Sequence, residues 1–173
     1  MSQLKNYTGS VYGGLGHLLK AYCETKNIEI PEQLQQVQNI ERFDYVIWRD
    51  LLEDLNRLNP KTGLGLEIAE HVQPKHLGII AYLALSCENL GEALARYHDF
   101  HRLIYDGSPL VVEFNPPYAS IRWEAPEPNP TQLTDEIAIA LMVQFFKLFM
   151  AGDNFILHEV HFVNAAPKNT RVY

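Results

Sequence analysis

The chain has 173 residues, 47% hydrophobic and 20% charged, and its 14 basic against 21 acidic side chains give a formal net charge of -7. That length suits one ordinary domain, which buries about 70% of its unfolded surface and can hold a ligand cavity, while the acidic balance argues against binding DNA unaided. The start, MSQLKNYTGS, has no apolar core behind its one lysine, and Cys23 and Cys87 lack metal-ligand spacing, so a secretory signal, a disulfide framework and a zinc site are all disfavoured and a cytoplasmic protein with free thiols is expected.

Residues 1–10 are polar and read as a flexible N-terminus ahead of a domain over 11–173. Leu15, Leu18, Leu19 and Tyr22 recur at helical spacing and predict a helix near 11–26. Phe43, Ile47, Leu51, Leu52, Leu55 and Leu58 trace a second stripe opposite Glu41, Arg49, Asp50, Glu53 and Arg57, and Asn59-Pro60 closes that helix. Leu77 to Ser86 is apolar on both alternating faces and predicts a strand covered on both sides. Leu90 to Asp106 predicts an amphipathic helix stopped by Gly107. Alternation over 110–114 and 119–123 around Asn115-Pro116-Pro117-Tyr118 predicts a β-hairpin whose outer face carries Glu113, Ser120 and Arg122.

A helix follows from about 130, with Asn129 as its cap, Pro130 at its first position and Gly152 after its end. Its apolar stretch, Ile137 to Ala151, is interrupted by Gln144 and Lys147 and falls short of the roughly 20 residues a bilayer span needs. It reads as a core helix. His158 to Val163 predicts a last strand with Val160 and Phe162 on one face. The fold class expected is α+β, an antiparallel sheet backed by two long helices with a helical N-terminal subdomain.

The segments Gly63-Leu64-Gly65-Leu66, Pro74 to Gly78 and Asn89-Leu90-Gly91-Glu92-Ala93-Leu94, followed by the hairpin, the long helix and the closing HEVHFVNAAPKNTRVY, stand in a distinctive order. Together, over roughly residues 20–173, they resemble the N-terminal effector (arabinose-binding-like) domain of AraC-type bacterial transcription regulators. Each piece is a packing pattern, so specificity lies in their order and spacing. The resemblance implies a non-catalytic domain that binds a small-molecule effector, such as an amino acid, a derivative or an organic acid, and that often serves as a homodimer surface. It implies no cofactor and no membrane. DNA would be reached only through a helix-turn-helix domain that this chain does not include, and the chain stops before the strand that usually closes the effector domain.

Candidate ligand-binding side chains are Trp48, Tyr82, Tyr97, His101, Tyr105 and Arg122, each a large flat or branched body with a polar tip. Arg122 would hold an acidic ligand, or else pair with Glu113 on its own sheet face. The pocket is expected to be mostly apolar, between the hairpin-bearing sheet and a long helix or the N-terminal helices. His98 and His101, three apart, could hold a metal with a third ligand from Asp99, Glu136 or His158, but a hydrogen-bonded boundary role is preferred. No nucleophile elbow, Walker loop or His-Glu-x-x-His motif is present, and Glu67, Glu70, Glu92 and Glu136 read as solvated helix faces. Tyr118-x-Ser120-x-Arg122 also resembles the propionate-holding pattern of haem nitric-oxide/oxygen-binding domains, with His101 as axial ligand. A stand-alone haem or small-hydrophobic-ligand sensor is therefore the alternative reading.

Overall fold

The computed structural model describes residues 8–124, 130–149 and 156–173, with the backbone only at Leu148. A short strand β1 (Ser10–Tyr12) leads through Gly13 into helix α1 (Gly14–Lys26), whose Leu15, Leu18, Leu19 and Tyr22 all turn inward. Helix α2 (Glu32–Gln36) and a 3-10 turn over Val37–Asn39 bring the chain back to β2 (Arg42–Asp44), which pairs antiparallel with β1 through Val11↔Phe43. Arg42 locks that ladder: its guanidinium donates to the hydroxyl and carbonyl of Ser10 and to the Leu103 carbonyl, and it faces Asp106 at 3.5 Å. Helix α3 (Tyr45–Leu58) then buries Trp48, Leu51, Leu52 and Leu55 along one stripe.

The next three segments are where the sequence patterns acquire a physical meaning. Gly63 has φ +76, a left-handed conformation that favours glycine, and it turns the chain into α4 (Leu64–Ala69). Pro74 is the first residue of α5 (Pro74–Leu77), where its missing N–H costs nothing, and His76 folds back so that its Nδ1 accepts the Gln73 amide at 3.1 Å. Gly78, at φ +67, separates α5 from α6 (Ile79–Leu85) and stands close against the Tyr12 ring. Asn89 caps α7 (Leu90–Phe100) by accepting the Glu92 amide at 2.9 Å, and Glu92 in return accepts the Glu88 amide. Ala93 and Leu94 of the same motif are buried.

Within the strand expected over 77–86, Ile79–Leu85 is helical instead, which corrects that expectation. Ile80, Ala81 and Ala84 face the core while Ile79, Tyr82 and Leu85 face outward, a helical period hidden inside a uniformly apolar run. Alanine and leucine make up four of the seven residues of α6, and both favour helix. Helix α7 ends earlier than expected, passing at His101–Leu103 into a 3-10 turn.

The predicted hairpin is present as β3 (Leu110–Asn115) and β4 (Tyr118–Trp123), in register Leu110↔Trp123 to Asn115↔Tyr118. Helix α8 (Gln132–Phe149) packs on α4, α3 and α6, with Leu133, Ile137, Ala140, Leu141 and Phe145 inward. It starts two residues later than expected, and Thr131 provides the capping oxygen to the Thr134 amide. Asn129 and Gly152 lie outside the described residues. Residues 158–163 form no ladder, which corrects the expected last strand: the Val163 amide goes to the Asp135 carboxylate at 2.7 Å instead of to a neighbouring strand. The class is α+β, as expected, and among the described residues the strands are divided between two two-stranded antiparallel ladders. No helix among the described residues is long and apolar enough to cross a membrane.

Candidate functional site

A cleft of about 540 Å³ opens between the C-terminal half of α3 and the N-terminal ends of α4 and α8. Its walls are mainly polar, with Glu53 and Asn56 from α3, Lys61, Thr62 and Gly63 ahead of α4, and Gln132 and Glu136 from α8, while Leu64, Leu133 and Pro167 complete the lining. The close crossing of α4 over α8 shapes it. A Cβ on Gly65 would lie 2.8 Å from Glu136 Oε2 and 2.9 Å from the Ile137 nitrogen, so only glycine admits this approach. That approach delivers the Gly65 N–H to Glu136 Oε2 at 2.6 Å.

Glu136 is 3% exposed, which corrects the solvated helix face expected from its sequence. Its other oxygen accepts the hydroxyl of Tyr173. Burial raises its pKa above the ordinary carboxylate value, and the Gly65 amide offsets only part of that rise. Glu67, also read as solvated, is the opposite case. It accepts Lys26 at 2.7 Å, Lys61 at 2.5 Å and the Tyr22 hydroxyl at 2.8 Å. Burial alone would raise Glu67, but these donors outweigh it and hold its pKa at about 2.

Residues 156–173 run across the start of α8. Beyond the Val163 contact, the Asn164 side chain donates to the Pro130 carbonyl, Val172 lies against Gly63, and the rings of Phe162 and Tyr173 meet edge-on at 5.4 Å. The strap therefore brings Tyr173 onto Glu136, one of the residues that line the cleft.

The six side chains proposed from sequence lie apart from this cleft and in different surroundings. Trp48 is buried in the core on α3, Tyr97 is buried against the Phe145 ring, and Tyr82 is 57% exposed on α6. The Tyr105 ring packs on Tyr45 and its hydroxyl donates to the Thr8 carbonyl. Arg122 stands at the hairpin surface between Glu113 at 3.8 Å and Glu124 at 4.0 Å, the pairing weighed against a ligand role. His101 donates from Nδ1 to the His98 carbonyl at 2.7 Å, which leaves the buried Nε2 without a partner among the described residues. Tyr118 and Ser120 are exposed at the hairpin end, with Tyr118 edge-on to His158. Among the described residues no three His, Cys, Asp or Glu side chains converge as a metal site would require.

Glu136 itself carried a readable signal. It falls three residues after Leu133 and one before Ile137, inside the apolar stripe of α8, where a solvated carboxylate does not belong. The partners of Glu136, by contrast, come from positions 71 and 37 residues away and have no sequence signature.

The family model described as the arabinose-binding domain of AraC transcription regulator, N-terminal, matches residues 26–173. No curated protein gives a significant match to the chain.

Proposed function

The chain belongs to the family of N-terminal arabinose-binding domains of AraC transcription regulators, and from that premise we propose that it senses a small-molecule effector in the cleft between α3, α4 and α8. The observation that carries this reading is the polar cleft around the buried carboxylate of Glu136, bordered by the Gly63-Leu64-Gly65-Leu66 segment that carries the family resemblance. Occupancy would bias one arrangement of the regulator over another, which requires that the effector bind the two arrangements with different affinity. The role is regulatory and non-catalytic, in a cytoplasmic bacterial protein, with DNA contacted by a segment outside this chain. A homodimer is part of the same proposal, and α6 presents Ile79, Tyr82 and Leu85 to solvent along one side.

A thermal-shift screen of amines, sugars, amino acids and organic acids tests the reading. At a ligand concentration 100 times Kd, binding stabilises by about 2.7 kcal/mol, a rise of roughly 5–10 °C for a domain of this size. A dimer, shown by sedimentation, whose melting no compound moves would favour a pure dimerisation module. The unpartnered Nε2 of His101 favours one second reading, a haem or hydrophobic-ligand sensor. Haemin titration giving no sharp Soret band at stoichiometric protein removes it.

A further inference from the structure

The cleft has a marked chemical preference. Both oxygens of Glu136 meet neutral donors, the Gly65 amide and the Tyr173 hydroxyl, and among the described residues no lysine or arginine forms an ion pair with it. Lys61, which lines the same cleft, is committed to Glu67 at 2.5 Å. Glu53 on the α3 wall has no ion-pair partner among the described residues. The helix ends that would otherwise attract an anion are already matched. Glu136 takes the Gly65 amide of α4, while Thr131 caps α8 and Asp135 supplies a negative charge in its first turn.

A buried carboxylate held only by neutral donors leaves its desolvation uncompensated, and a cation recovers what a neutral or anionic ligand cannot. The rise in its pKa agrees with that state. The volume, about 540 Å³, suits a small organic molecule, and Asn56, Thr62 and Gln132 offer hydrogen bonds to its polar remainder.

Resting on the reading of the domain as a small-molecule sensor, we propose that the cleft takes an aliphatic amine whose ammonium group displaces the Tyr173 hydroxyl from Glu136 Oε1. Glu53, on the α3 wall, attracts a second positive group. The displacement also makes a signal. Tyr173 is an anchor of the strap over α8, so a ligand that claims Glu136 loosens the strap at that end and leaves the Val163 and Asn164 contacts in place.

The test uses matched probes on the 173-residue chain: 1,5-diaminopentane against pentane-1,5-diol, with L-arabinose and glutarate as a neutral sugar and a dianion. The diamine should raise Tm saturably where the diol does not. Glu136→Gln, which keeps an acceptor for Gly65 and removes the charge, should weaken the diamine at least tenfold. Tyr173→Phe, which removes the competing hydroxyl, should tighten it about threefold or more. Equal effects of diol and diamine, or unchanged diamine affinity in both variants, would overturn the proposal. If arabinose or glutarate binds and the diamine does not, the sensor reading stands and the amine assignment falls. If nothing in the set or in the wider screen shifts Tm, both fall.

Discussion

Two glutamates, Glu67 on α4 and Glu136 on the α8 helix packed against it, show how the same side chain is put to opposite uses. Glu67 draws α1, α4 and the loop before α4 together through two lysines and a tyrosine, and its charge is fully compensated. Glu136 fastens α8 to α4 and to the strap with neutral donors alone, and its charge is left over. A compensated carboxylate is a clamp with nothing further to bind. One held by neutral donors in a cleft retains its attraction for a cation, so the pair separates scaffold from site within one short helix's reach.

The largest effect expected on this comparison comes from Gly65→Val, which forces α4 off α8 and removes the floor of the cleft. Overpacking at that contact should cost about 3 kcal/mol in chemical denaturation. A loss below about 1 kcal/mol would mean the crossing is looser than the 2.8 Å approach implies.

Glu67→Gln should come next, at about 2 kcal/mol, because Lys26, Lys61 and Tyr22 lose a shared partner. The pH dependence gives its signature. The folded pKa of Glu67, about 2, lies below its ordinary 4.5, so the stability it contributes is complete above 4.5 and is lost as pH falls toward 2. His76 acts in a separate window. Burial first, then Lys75 and His17, lower its pKa from 6.5 to about 4, so the folded state binds fewer protons there and stability drops as pH falls from 6.5 to 4. Glu67→Gln should erase the lower limb of a Tm–pH curve and leave the upper one.

Glu136→Gln should be the contrasting case, neutral or stabilising by up to about 1 kcal/mol at pH 7, since it removes a buried charge, keeps an acceptor for the Gly65 amide and offers its NH2 to the Tyr173 hydroxyl oxygen. A loss as large as that at Glu67 would dissolve the distinction between clamp and site. Smallest of all is Arg122→Ala, expected to change stability by less than about 0.5 kcal/mol because its two ion pairs are exposed. If it weakens effector binding more than tenfold, the site extends to the hairpin.

What could be read in advance followed from amphipathic contrast. The helices α1, α3 and α7 and the β3–β4 hairpin each alternate apolar and polar residues at a period that declares the element, while α8 is legible from Pro130 ahead of it and the length of its apolar run. Residues 77–86 do not alternate, because nearly every position is apolar and the period vanishes until burial separates Ala81 from Tyr82. The stretch 158–163 alternates like a strand, but a strand also needs a partner edge, and here an aspartate side chain takes the amide. The six proposed site residues share a chemistry of flat rings and polar tips that serves a core equally well, which is how Trp48 and Tyr97 are used. The cleft was illegible for a different reason. Glu136, which lines it, is held by a glycine and a tyrosine that reach it only after the chain has folded.

The most direct measurement of the central claim is a carbon-detected NMR titration of the glutamate carboxyl resonances in the wild-type domain. Glu67 should titrate near 2 and Glu136 above its ordinary 4.5. Glu136 titrating at or below 4.5 would show a carboxylate already compensated or solvated, and would contradict the assignment of the cleft.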